Sequence, residues 1–299
     1  MKKAISIVLA ILLLSSLSSA FAVDAGEARA VLGADLSEEE VAEIYRTLGM
    51  ERGGVKELTL TNAEEHALLD GKVAKELIGS RSISSIFLRV LQPGEGYQIV
   101  IGNVNRCTED MYRNALVTAG ITDVELVVTA PYPVSGTAAL AGIYKAWEDM
   151  NGTSLSEELR SAGIEEFVLT RRLTEETGDL DIAGLVNELK SALEETKDMD
   201  DDALKEKIRE LGKERGIEFN DTQLDELRML CRTLEKLDSA DLAGKAERLR
   251  QKAQGLGETA EKLREGAENV SSWLEKARTV LEKLVSFLRG AVESVKNLF

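Results

Sequence analysis

The chain carries one histidine and two cysteines among 53 acidic and 37 basic residues, so few constellations are open to catalysis. His66 sits beside Glu64 and Glu65 in a stretch of helical spacing. A lone histidine does not make an H-E-x-x-H zinc site, and no cysteine pair at ligand spacing supplies the missing donors, so neither metal nor cofactor is expected. Ser135 lacks a G-x-S-x-G elbow, and its one available histidine base is His66, which leaves a hydrolase as a remote reading with no catalytic residue assigned. The acid runs Glu175-Glu176 and Asp200-Asp201-Asp202 are what a solvated acidic surface supplies. The segment from Asp198 to Asp202 lacks the glycine and terminal glutamate of an EF-hand loop. The best ligand candidate is the turn Ser135-Gly136-Thr137, which opens a helix. Amides at a helix N-terminus and two hydroxyls can hold an anion, with Arg106 and Arg113 the nearest arginines in sequence. Capping and close packing compete with that reading and are favoured, because no lysine, arginine or metal-ligand cluster lies in the turn.

The N-terminal segment explains where such a protein works. Lys2 and Lys3 precede an apolar run from Ala4 to Leu14, and Ala20-Phe21-Ala22 closes the segment as an A-x-A site. Residues 1–22 therefore read as a signal peptide, too short in its apolar part for a membrane span. Its removal takes two lysines and no acid, moving the formal charge from −16 to −18. So acidic a surface repels nucleic acid and anionic headgroups, and no nucleic-acid partner is expected. Export permits a disulfide between Cys107 and Cys231, with two buried thiols as the alternative. Asn151, Asn220 and Asn269 begin sequons that glycosylate only in a host with the machinery.

The elements that must position these groups divide into two regions. In residues 23–150, Ser37 and Glu40 form a capping box for a helix ended by Gly49, and Val55 to Thr61 reads as a first strand. Thr61 and Glu64 open a second helix expected to reach Ile78. Strands follow at Ser82 to Leu91 and Tyr97 to Val104, then a helix from Thr108 to Gly120 and a strand at Val124 to Thr129. The fold class is α+β. The β-α-β-β-α-β order over about residues 55–130 predicts a ferredoxin-like, four-stranded antiparallel sheet with two helices on one face. Pro131 and Pro133 end the last strand, and Ala138, Ala139, Ala141 and Gly142 make a helix that can approach another backbone closely.

Residues 151–238 carry helical periodicity and no strand: short helices at Ser154 to Ala162 and Ile164 to Thr177, then Asp181 to Thr196, Leu204 to Leu211 and Asp221 to Leu237. Residues 239–299 read as one long amphipathic or coiled-coil helix. From Leu242 the apolar positions alternate steps of four and three, through Ala246 and Leu249 to Val295 and Leu298, about eight heptads and roughly 85 Å if continuous. Self-association, packing against the chain's own helices over 242–298, and peripheral membrane contact through 273–299 all fit that seam.

The segment Met111-Tyr112-x-Asn114-Ala115-Leu116-x-Thr118-Ala119-Gly120-Ile121-x-Asp123 resembles the DUF1002 family. So do Val128-Thr129-Ala130-Pro131-x-x-Val134-Ser135-Gly136-Thr137-Ala138-Ala139-Leu140 and Lys145-Ala146-x-Glu148, with Leu32-Gly33, Leu36-Ser37 and Ser82-Ile83-Ser84-Ser85. Trp147 and Cys107 depart from its pattern. The resemblance implies an exported or envelope-associated protein and brings no established activity, ligand or catalytic residue. The expected function is thus a non-catalytic secreted or cell-envelope protein working through protein or cell-wall contacts. The alternative is a module binding a small anionic or wall-derived ligand at Ser135–Thr137.

Overall fold

The computed structural model describes residues 23–73, 78–178, 181–238 and 240–249. A strand absent from the expected order, β1 (Ala28–Gly33), comes first. It is followed by α1 (Glu38–Leu48), β2 (Lys56–Leu60), α2 (Asn62–Leu69), β3 (Ser85–Val90), β4 (Tyr97–Ile101), α3 (Glu109–Thr118) and β5 (Val124–Thr129). The rest is helical: α4 (Ala139–Asn151), α5 (Glu157–Thr177), α6 (Ile182–Ser191), α7 (Leu193–Thr196), α8 (Asp201–Glu214) and α9 (Asp221–Leu234).

The α+β class holds, but the sheet is five-stranded and mixed, in the order β2-β1-β3-β5-β4, so the ferredoxin-like pairing is corrected. β1 lies parallel to β2, and β4 parallel to β5, each pair joined through a helix. β3 runs antiparallel between β1 and β5. β1 occupies the place beside β3, which leaves β2 at the edge, and β5 separates β3 from β4. β1 is buried on both faces: Ala30 and Leu32 pack with Val41, Ile44 and Tyr45 of α1, while Val31 belongs to the larger core on the other side.

That larger core joins the sheet to α3, α4 and the first helices of the following region, since Ile164, Phe167 and Ala183 are part of it. Gly142 lets α4 settle on the sheet: a Cβ there would lie 3.4 Å from Ile86 and 3.6 Å from Val31. α5 is one helix where two short ones were expected. Gly163, which looked like a break, is a contact: a Cβ there would come within 2.5 Å of the Tyr144 hydroxyl and 3.1 Å of the Ala115 carbonyl.

A buried ion pair ties α3, α5 and α6. Lys190 Nζ lies 2.8 Å from Glu166 Oε1, and both side chains are fully buried. The ammonium also donates to the Asn114 carbonyl at 3.0 Å, the Thr118 hydroxyl donates to Glu166, and Asn114 donates to the Ala183 carbonyl at 2.8 Å. Burial lowers the Lys190 pKa, while Glu166 opposes the shift.

Both expected capping boxes are present, at Ser37/Glu40 and Thr61/Glu64. α2 ends at Leu69 rather than near Ile78, because Gly71 turns the chain at φ +80°. Asp200 caps α8 through the Ala203 amide, and Asp201 pairs with Arg228 and Arg232, so the acidic run is used in place. Residues 240–249 are helical, and the first two seam positions, Leu242 and Ala246, are buried. The rest of the expected heptad helix, apart from Leu249, lies outside the described residues, as does the segment 1–22. Among the described residues no helix is long and apolar enough to cross a membrane.

Candidate functional site

The Ser135–Thr137 turn is filled. Gly136, at φ +92°, sits where a Cβ would fall within 2.5 Å of Val104 and 2.7 Å of the Tyr112 hydroxyl. That hydroxyl donates to the Gly136 carbonyl at 2.7 Å. Neither Ser135 nor Thr137 caps α4. The Ala139, Leu140 and Ala141 amides instead donate to the carbonyls of Gly136, Thr137 and Ala138, so those three first-turn donors are taken. Thr137 is wholly buried, and Ser135 Oγ accepts from the Thr137 amide at 3.5 Å.

The two arginines are not gathered over that turn. Arg106 pairs with Glu175 of α5 at 3.0 Å, on the same carboxylate that the buried Arg171 holds at 2.7 Å. Arg113 pairs with Asp110 one turn back on α3 and lies near Tyr97, and burial lowers its pKa. Cys107 and Cys231 are free thiols, each buried, so the disulfide is not formed. Cys107 packs beside Gly136 and Tyr112, whereas Cys231 lies on α9, and burial pushes both up to about 12. Thiols so protonated are poor nucleophiles. His66 contacts Asp70 at 3.2 Å and the Gly79 carbonyl at 3.0 Å. Among the described residues no group of three histidines, cysteines or acids is arranged to hold a metal ion.

The structure instead opens a cleft of about 410 Å³ between α2, α4 and the start of α5, a volume in the ligand-pocket range of roughly 300–1,000 Å³. Leu60, Leu68, Ala141 and Ile164 give it an apolar lining, with Tyr144 beside them. Three acids (Glu64, Glu148, Glu157) and three bases (Lys72, Lys145, Arg160) also line it.

Local chemistry fixes each wall. Leu60 closes β2, and Thr61 immediately caps α2, so Glu64 is placed one turn into the helix. Asp149, near the end of α4, holds Arg29 at 2.5 Å and Lys56 at 2.7 Å, which pins that helix over β1 and β2. The neighbouring Glu148 accepts the Leu155 amide at 3.0 Å and so fixes the link into α5. Lys145 crosses from α4 to the Thr59 carbonyl and to Glu64, both at 2.5 Å. In the sequence Glu64 belongs to a cap and Lys145 and Glu148 to a motif, and no spacing places them in one cleft with Lys72 and Arg160.

Burial would raise the Glu64 pKa, but hydrogen bonds from Lys145 and Thr61 outweigh it and hold the carboxyl at about 2. A depressed carboxylate stabilises the fold above its unfolded pKa, and that contribution is lost as pH falls through the folded value. A carboxyl-detected NMR titration should therefore place Glu64 near 2, and Lys145→Met should move it towards the ordinary 4.5. A wild-type value near 4.5 would mean that Lys145 does not hold this wall.

A family model described as a protein of unknown function, DUF1002, matches residues 32–251. The chain is also 31% identical over 214 residues to the uncharacterised protein YpuA of Bacillus subtilis strain 168, covering 71% of this chain and 73% of that protein. No solved structure matches significantly.

Proposed function

This chain belongs to the DUF1002 family of proteins of unknown function, and from that premise we propose that it is a non-catalytic cell-envelope protein acting through contacts made in the α2–α4–α5 cleft. Export rests on the leader-like residues 1–22, and the apolar seam from Leu242 is read as a stalk or packing helix. One observation carries the binding role: the cleft joins an apolar floor to a rim of three acids and three bases. Two of the bases are already tied to acids, Lys145 to Glu64 and Arg160 to Glu157 and Glu148. That combination suits recognition, in which the floor takes apolar surface and the rim sets orientation.

The test uses Ala67, an exposed residue of α2 that lines the cleft. Ala67→Trp fills the mouth while leaving the core intact. After fractionation of the native host, wild-type protein is expected in the envelope or the medium. Purified wild type should be retained on isolated envelopes at least about tenfold better than Ala67→Trp, a difference of roughly 1.4 kcal/mol. Equal retention would overturn the cleft as the contact site, and a purely cytosolic protein would overturn the envelope role.

A further inference from the structure

Resting on that reading, we infer that the cleft takes a ligand carrying a carboxylate on a compact apolar body, and that Lys72, held in place by the Ser161 hydroxyl, receives the carboxylate. The argument begins with how the cations are used. Lys145 lies 2.5 Å from Glu64, and Arg160 pairs with Glu157 and reaches Glu148 at 3.8 Å. Lys72 differs: its hydrogen-bond partner among the described residues is the Ser161 hydroxyl, at 2.6 Å. Glu157 and Glu165 act on it electrostatically without forming an ion pair within 4.0 Å, and Arg160 acts with opposite sign.

An ammonium has three donors, so this one keeps two. Ser161 Oγ, behind the lining, accepts from Lys72 and orients the ammonium. The two remaining ammonium donors are what a carboxylate satisfies with charge-assisted hydrogen bonds. The apolar floor of Leu60, Leu68, Ala141 and Ile164 then accepts the ligand's body. A peptide C-terminus and a short fatty acid share this chemistry.

The full chain is titrated calorimetrically with the tripeptide Leu-Ala-Leu, its C-terminal amide and octanoate. Wild type should bind the tripeptide at least about tenfold tighter than the amide, or bind octanoate with the same reliance on Lys72; tenfold is about 1.4 kcal/mol. Lys72→Gln should erase that preference, and Lys72→Arg should keep most of it, with unchanged thermal unfolding showing that both variants fold. Preference for the free tripeptide assigns a peptide source, and octanoate binding alone assigns an acyl source. The proposal is overturned if the amide binds as well as the acid, if Lys72→Gln leaves the preference intact, or if no probe saturates at about 10 mM. In that last case, loss of envelope retention in Ala67→Trp would still uphold the contact role of the cleft, so the two readings fail separately.

Discussion

Replacing Lys190 with methionine should destabilise the protein by about 3–5 kcal/mol, because it strands the Glu166 carboxylate in the core. Both side chains are fully buried, 2.8 Å apart. Removing the ammonium also takes a donor from the Asn114 carbonyl on α3. The Thr118 hydroxyl would remain on Glu166, one hydrogen bond where a charge needs compensation. The double variant Lys190→Met with Glu166→Leu should recover much of the loss, since a well-packed apolar pair often equals or exceeds a buried ion pair in stability. Urea unfolding of the three proteins measures both effects. A single variant that loses less than about 1 kcal/mol would show the site collapsing or admitting water more readily than its burial implies.

Gly33→Ala should cost about 3 kcal/mol or more, at the top of the range for overpacking. The new methyl would lie inside van der Waals contact with the Ser82 carbonyl and 2.7 Å from Ile83 Cα, so it meets backbone rather than a yielding side chain. That backbone is held from several directions. The Ser82 amide donates to Asp35 at 2.7 Å, the Asp35 amide donates to the Ser82 carbonyl at 3.0 Å, and the Ser82 hydroxyl donates to the buried Glu65 at 2.6 Å. Burial raises the Glu65 pKa, and the hydrogen bonds from Ser82 and Asn62 oppose that rise. Gly142→Ala is the contrast, because its methyl meets side chains at 3.4–3.7 Å. The gain in helix propensity, about 1 kcal/mol, offsets the crowding there. Thermal unfolding should separate the two variants clearly, and amide shifts at Asp35 and Ser82 should move only in Gly33→Ala. Equal stability would mean that the β1 end slides past the Ser82 segment at little cost.

Both sites depend on contacts that local sequence does not encode. In the sequence Glu166 is one acid among 53, and Lys190 follows the apolar Leu189, so neither carries a local sign of the pair. Their meeting depends on α5 and α6 packing against α3, which no local spacing encodes. Gly33 was noted as part of a family pattern, without the strand that contains it. Residues 28–33 include Ala28, Ala30 and a terminal glycine, which give little β signal of their own. Missing that strand changed the topology, since β1 takes the place between β2 and β3.

The packing of the Ser135–Thr137 turn lies beyond local sequence for a related reason. Serine, glycine and threonine before a helix have the composition of an anion site. Whether the turn leaves room depends on Val104 and Tyr112, and the Ala139 to Ala141 amides are taken by carbonyls three residues back. The cleft shows the converse. Glu64, Lys145 and Glu148 were visible as a cap residue and a motif, but Lys72 and Arg160 join them only when α2, α4 and α5 converge.

The α+β class, the family, both capping boxes and the proline exit from β5 are legible in the residues alone. Each of those depends on residues within a few positions of one another, where hydrogen bonds and allowed dihedrals are local. Strand order, the Lys190–Glu166 pair, the filled turn and the charged cleft were decided only by tertiary structure. They join groups far apart in the chain, and burial and pairing there follow from which surfaces pack together.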